Sequence, residues 1–175
     1  MGKPIQLLAS GRLLGYIHAE ELSPPEELVE REFMGTWYAD VYTLKNRDVF
    51  IFTEARTLYS IFADAKGVDS VDAFVLYFGE YMERSLAVEM PILEKIDDWR
   101  PPLRFFRSDD TLARRAQTAH IRMALDTDTA CADSSEYNAR PLPEADGIVP
   151  RAMYRAEIWR IFPELIPRFT KSQMN

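Results

Sequence analysis

Residues Thr36–Ala63 read TWYADVYTLKNRDVFIFTEARTLYSIFA, and this stretch decides the fold. Aromatic and β-branched side chains dominate it, as is typical of strands. The polar run Lys45–Asp48 interrupts the stretch, and it is short enough to be the connection of a β-hairpin. Val49–Phe52 is apolar at every position, which indicates a strand covered on both faces. Three adjacent strands are therefore predicted, with Thr57–Ala63 as the third.

Two helices are predicted to pack on this sheet. Ser70 is a good N-cap, and apolar residues follow it at helical spacing, which predicts a helix over Ser70–Met90. A second helix is predicted over Thr111–Asp126, with caps in the preceding Ser-Asp-Asp segment and a face of small apolar residues. Lys3–Leu8 and Leu103–Arg107 read as further strands, the first of them at an edge of the sheet.

The chain of 175 residues has the length of one domain, so a single domain over residues 1–175 is predicted. Its class is α+β, with a mainly antiparallel sheet and two principal helices. Residues 127–150 are polar, rich in proline and without periodicity, which predicts a long loop. Residues 151–169 are predicted to be a C-terminal helical segment.

The composition is that of a globular protein, with 47% hydrophobic and 28% charged residues. We expect no transmembrane helix, because the apolar runs are only a few residues long. No signal peptide or lipid anchor is expected either. The single cysteine, Cys131, suits a reducing compartment, so a cytoplasmic location is predicted.

The net charge of −7 disfavours direct nucleic-acid binding, which draws on a basic surface. An acidic protein can instead imitate a nucleic acid and occupy a partner's basic groove. Because the acidic residues are dispersed along the chain, solubility is the simpler interpretation of the charge.

The motifs of phosphate-binding loops, nucleophile elbows, zinc proteases and dinucleotide folds are missing from the sequence. No cofactor or metal is therefore predicted, and catalysis is less favoured than binding. The weak candidates for acid–base chemistry are His120, Asp109 and Asp110. For His120, packing at the edge of the core is favoured over a catalytic role.

Three arginines are candidates for binding an anion. Arg56 lies between two predicted strands, where it either holds an anion or pairs with a carboxylate. Arg114 and Arg115 lie near the start of the second helix, where an anion is attracted but neighbouring aspartates compete. A structural ion pair is preferred for Arg56, and a solvated or internally paired charge cluster is preferred for Arg114 and Arg115.

The aromatic residues of the C-terminal segment are candidates for contacting a partner protein. Tyr154, Trp159 and Phe162 fall on a predicted helix that follows the long loop. Such a helix docks on its own domain or on another chain, and docking on its own domain is preferred.

One set of residues in and around the predicted strands carries a resemblance to a known family: Gly35, Trp37–Ala39, Phe52-Thr53 and Arg56–Leu58 with Ser60. At these positions the sequence resembles an uncharacterised bacterial and archaeal family of domains of unknown function. Family members have a Ser-x-x-Gly pattern at the start of the later helix, where this chain has Thr111 and Arg114. The family has no established activity, so the resemblance implies a fold boundary and no function.

The function predicted from the sequence is that of a cytosolic binding or regulatory protein. It is expected to contact another protein through its acidic surface or its C-terminal helix, and homo-oligomerisation is left open. One alternative is an enzyme that acts on a phosphate-bearing or other anionic substrate. A second alternative is an acidic mimic of nucleic acid.

Overall fold

The computed structural model describes residues 5–19, 33–86, 103–108, 110–126 and 134–163. The strands in these ranges are β1 (Ile5–Ala9), β2 (Thr36–Leu44), β3 (Arg47–Glu54), β4 (Ser60–Asp64) and β5 (Leu103–Arg107). The helices are α1 (Gly11–Tyr16), α2 (Val71–Leu86), α3 (Thr111–Asp126), α4 (Ser134–Asn138) and α5 (Pro150–Ile161), with a 3₁₀ turn at Pro143–Ala145. None of the helices described is long and apolar enough to cross a membrane.

The strands form one mixed sheet in the order β4-β3-β2-β1-β5. Strands β2, β3 and β4 are antiparallel neighbours, whereas β1 runs parallel to both β2 and β5. The predicted α+β class, with a mainly antiparallel sheet, is confirmed. The prediction that the first strand lies at an edge is wrong, because β1 is interior. Its second neighbour, β5, lies far along the chain, so no local pattern reveals that pairing.

Two tight connections shape the antiparallel part of the sheet. Lys45 and Asn46 have φ angles of 48° and 65°, as the two-residue turn between β2 and β3 requires. Strand β3 therefore begins at Arg47, inside the run predicted as a turn. Strand β4 begins at Ser60 and not at Thr57, because Glu54 holds the intervening backbone in a turn.

Glu54 is fully buried, and its carboxylate organises this β3–β4 turn. Oε2 accepts hydrogen bonds from the backbone N–H of Arg56 at 3.0 Å and of Thr57 at 2.8 Å, and from the Thr57 hydroxyl at 2.7 Å. Oε1 accepts a longer one, 3.3 Å, from the backbone N–H of Met34. Burial raises the pKa of Glu54, and these hydrogen bonds oppose the rise.

Helices cover both faces of the sheet. On the face that we call the α2 face, α1, α2 and α5 pack against Trp37, Phe50 and Phe52. On the opposite face, called the α3 face, α3 and α4 pack against residues such as Ile51 and Phe62. Val49–Phe52 is at most 1% exposed, as expected for a strand covered on both faces.

Both principal helices begin at or next to the predicted residues. The Ser70 hydroxyl accepts a 3.4 Å hydrogen bond from the N–H of Ala73 at the start of α2. Helix α3 spans Thr111–Asp126 as predicted, and Asp110 caps it by accepting from the N–H groups of Leu112 and Ala113. The predicted final turn of the first helix, up to Met90, lies outside the described residues.

Part of the segment predicted as a long loop forms short elements. Helix α4 and the 3₁₀ turn lie within it, and Leu142 and Ile148 form an isolated bridge. Asn138, at the end of α4, is fully buried. Its amide accepts from the Ser60 N–H at 2.7 Å and donates to the Ser60 carbonyl at 2.6 Å. One side chain thus pairs with the edge strand as a neighbouring strand would.

Candidate functional site

The end of the sheet that carries the β2–β3 turn contains a polar cleft with a volume of about 460 Å³. This is within the size range of small-ligand sites, about 300–1,000 Å³. We call it the hairpin-end cleft. It is lined by Tyr16, Asn46, Arg47, Asp48, Asp64 and Lys66.

Strand pairing brings the backbones of the two acidic residues of the cleft close together. Asp64 ends β4 opposite Val49, one residue after Asp48 in β3. The Asp48 carboxylate accepts from the Thr43 hydroxyl at 2.7 Å through one oxygen and from the Tyr16 phenol at 3.5 Å through the other. Asp64 accepts from the Lys66 backbone N–H at 3.0 Å. These hydrogen bonds fix the positions of both carboxylates.

Tyr16 forms a neutral wall of the cleft. Its ring packs edge-on against Phe50, with the ring centroids 5.7 Å apart. Burial raises the pKa of Tyr16, and the negative charges of Asp48, Asp69 and Asp64 raise it further. The phenol therefore keeps its proton at neutral pH and is a hydrogen-bond donor.

The charges of the cleft are not paired with one another. In the described part of the chain, no ion pair within 4.0 Å involves Arg47, Lys66, Asp48 or Asp64. The two cations are exposed and the two carboxylates are partly buried. The cleft is thus lined by side chains of both signs, two carboxylates and two cations.

A second charged cluster, at the end of β1, is internally satisfied. Asp40 accepts from the Ser10 hydroxyl at 2.5 Å and from the Arg12 guanidinium at 2.8 and 3.2 Å. Arg12 also lies 4.2 Å above the ring of Tyr42. Burial lowers the pKa of Arg12. The hydrogen bond to Asp40 and the negative charge of Asp40 outweigh this effect, so the pKa of Arg12 is raised overall. This cluster joins the start of α1 to β2 and was not predicted.

Arg56, the leading candidate from the sequence, lies in the β3–β4 turn. Its guanidinium contacts Glu157 of α5 at 3.0 Å, and Arg160 contacts the same carboxylate at 2.9 Å. The partner is thus a distant carboxylate and not a neighbour in sequence. Anion binding at Arg56 stays a prediction.

The other predicted polar residues are on or near α3. Asp110 caps the helix and accepts a 2.9 Å hydrogen bond from the Tyr38 phenol. Arg114 and Arg115 are exposed in the first turns of the helix. Asp109 lies outside the described residues. The structure therefore gives Asp110 a structural role, while the role of the two arginines stays a prediction.

His120 is fully enclosed between α3 and the sheet. Within the described ranges neither ring nitrogen has a partner at hydrogen-bond geometry, although the Ala116 carbonyl is close enough to favour the charged form. Burial dominates and lowers the pKa of His120 to about 4. Gln117, on the same side of the helix, is also buried, and its amide nitrogen lacks a partner. The imidazole is therefore neutral and out of reach of a surface substrate.

The burial of His120 predicts that the protein loses stability in acid. The unfolded chain binds the His120 proton near pH 6.5 and the folded protein only near pH 4, so stability falls as the pH drops between these values. The loss is on the order of 3 kcal/mol. Chemical denaturation at pH 7.5 and 4.5 measures it. The free energy of unfolding should differ less between pH 7.5 and pH 4.5 in His120→Gln than in the wild type. An equal difference in both proteins would contradict the prediction.

The predicted aromatic contact residues of the C-terminal segment pack within the domain. Tyr154 is fully buried, with its ring 4.5 Å from that of Tyr59 and its hydroxyl 3.0 Å from the Met34 sulfur. Trp159 and Phe162 are partly buried against the same core. Helix α5 therefore docks on its own sheet. A partner contact through Trp159 or Phe162 stays a prediction, whereas the ring of Tyr154 is occupied inside the domain.

Among the described residues, no group of three or more His, Cys, Asp or Glu side chains is arranged to hold a metal ion. A scan against protein-family models and searches of curated proteins and of solved structures find no match for this chain. The family resemblance around Trp37 and Arg56 stays a prediction. The function is therefore inferred from the geometry of the sites described above.

Proposed function

We propose that the chain is a cytoplasmic binding or regulatory protein that contacts another protein through the hairpin-end cleft. The observation that supports this most strongly is the set of four charged side chains around one concave site, none of which forms an ion pair within the described residues. A concave wall excludes part of the solvent, so charges there interact with a partner more strongly than charges on a convex surface. Complementary charges across an interface give specificity and a fast encounter.

The position of the cleft also supports a role in recognition. It lies where a turn, a strand end and a short helix meet, and such sites on a rigid scaffold commonly carry binding residues. The Thr43 and Tyr16 hydrogen bonds hold Asp48 in place before any partner arrives. A preformed site loses less entropy on binding than a flexible one.

The alternative functions have less support. An enzyme for anionic substrates would need Arg56, Arg114 or Arg115 close to an acid–base group. Arg56 is engaged by Glu157, and the imidazole of His120 is enclosed. A nucleic-acid mimic would present a surface row of carboxylates at phosphate-like spacing. The carboxylates of the cleft instead share its lining with the cations Arg47 and Lys66.

Affinity capture with a charge-neutralised variant tests the proposed function. The wild-type protein and the double variant Asp64→Asn/Lys66→Gln are immobilised and exposed to lysate of the native host. The matched control is Glu80→Gln/Arg84→Gln, which removes one acid and one base from the exposed side of α2. We expect at least one protein to be captured by the wild type and the control but not by the cleft variant. Identical capture by all three would contradict the proposal.

A further inference from the structure

We propose that the protein binds a water molecule between α3 and the sheet, where the water joins His120 and Gln117 to the Thr53 hydroxyl. His120 and Thr53 are fully buried, and Gln117 is 4% exposed. This internal water is a structural ligand that connects the middle of α3 to strand β3. It acts independently of any contact through the hairpin-end cleft.

Three buried polar atoms of α3 point to a bound ligand. Among the described residues, neither ring nitrogen of His120 nor the amide nitrogen of Gln117 has a hydrogen-bond partner. Residues three positions apart lie on the same side of a helix, so the two side chains are neighbours. Buried polar groups in proteins are hydrogen-bonded to the protein or to ordered water with few exceptions. Orphaned atoms on neighbouring side chains therefore indicate one shared partner.

The packing of α3 places its two polar side chains over Thr53. Before them in the helix, Ala113 packs in one cluster with Ala55, which directly follows β3. After them, Ile121 packs in one cluster with Ile51. Thr53 lies between Ala55 and Ile51 on the same face of the sheet, because alternate residues of a strand share a face. The buried hydroxyl of Thr53 is thus the polar group of β3 that faces the middle of α3.

The Thr53 oxygen can accept a further hydrogen bond. It lies 2.8 Å from the hydroxyl oxygen of Ser60, and the Ser60 hydroxyl donates to the Leu58 carbonyl at 3.3 Å. Because Ser60 has only one hydroxyl proton, Thr53 is the donor between the two hydroxyls. A lone pair of the Thr53 oxygen is then left for another donor.

A water molecule matches these groups in its donors and acceptors. It donates one proton to the unprotonated nitrogen of His120 and the other to the Thr53 oxygen, and it accepts from the Gln117 amide. The Ala116 carbonyl is close to the imidazole and attracts the proton on its other nitrogen. The water thus makes three hydrogen bonds, and about three is typical of buried water in proteins.

A high-resolution crystal structure of the full chain tests the proposal. We expect a water oxygen within about 3.2 Å of a His120 ring nitrogen, the Gln117 amide nitrogen and the Thr53 oxygen. Direct hydrogen bonds among these three side chains with no water between them would overturn the proposal. A dry contact between α3 and β3 would overturn it as well.

Variants show whether these side chains hold the water. The double variant Gln117→Leu/His120→Leu removes two of the three partners, so the water should be lost from its crystal structure. The matched control is Arg115→Gln, on the exposed side of α3, which should retain the water. Water that remains at this position in the double variant would contradict the proposal.

Nuclear magnetic resonance tests the same contact in the wild-type protein, so this measurement does not depend on the folding of a variant. Long-range ¹H–¹⁵N spectra at neutral pH identify the unprotonated nitrogen of His120. A hydrogen bond to this nitrogen moves its resonance upfield of the position of a nitrogen without a partner, and we expect the upfield position. A resonance at the position of a nitrogen without a partner would overturn the proposal.

Discussion

Replacing Asn138 by aspartate is expected to lower the free energy of unfolding by about 3–5 kcal/mol. The Asn138 amide is fully buried and bonds to both backbone groups of Ser60. An aspartate cannot donate to the Ser60 carbonyl, and it places a carboxylate next to that oxygen in a fully buried site. Urea denaturation at pH 7 measures the loss.

Asn46→Asp is the matched control for this substitution. Asn46 is exposed in the β2–β3 turn, where its φ of 65° suits aspartate as well as asparagine. Its effect on the free energy of unfolding should stay within about 0.5 kcal/mol. Equal stability of the two variants would show that the hydrogen bonds between Asn138 and Ser60 do not stabilise the edge strand.

Replacing Glu54 by alanine is expected to cost a similar amount, about 3–5 kcal/mol. The truncation removes the acceptor for the backbone N–H groups of Arg56 and Thr57 and for the Thr57 hydroxyl. These donors lie in a buried turn, so a lost bond leaves a polar group without a partner. Thermal unfolding followed by circular dichroism measures the shift in Tm.

Two variants show whether the effect comes from the hydrogen bonds. Glu54→Gln keeps an oxygen that can occupy the Oε2 position and should cost less, about 1–2 kcal/mol. Glu80→Ala, on the exposed side of α2, should change stability by less than about 0.5 kcal/mol. A Gln variant as unstable as the alanine variant would show that the carboxylate is needed for its charge and not only as an acceptor.

The sequence is sufficient to predict those parts of the fold that local patterns determine. The apolar run at Val49–Phe52, the turn at Lys45-Asn46 and the capping groups before α3 each act within a few residues. The position of β1 depends on pairing with β5, which no local pattern contains. Helix α4 was missed because five residues are too few for a helical period to be visible.

The candidate site was missed because strand pairing assembles it. Tyr16, Asp48 and Asp64 line one cleft because β4 pairs with β3 and because α1 packs its Tyr16 ring against Phe50. The sequence pattern identifies Arg47 and Asp48 only as polar turn residues. Arg56 was recognised from its position between strands, but its contact with Glu157 depends on how α5 docks, which the sequence does not indicate.

Site-specific photo-crosslinking in the native host tests the central claim, contact through the hairpin-end cleft, most directly. A photoreactive amino acid is placed at Asp69, which is exposed beside Tyr16 without lining the cleft, and for comparison at Arg115, exposed on α3. We predict a covalent adduct with another protein from position 69, lost in the Asp64→Asn/Lys66→Gln background, and none from position 115. An adduct only from position 115, or one from position 69 that persists in that background, would contradict the claim.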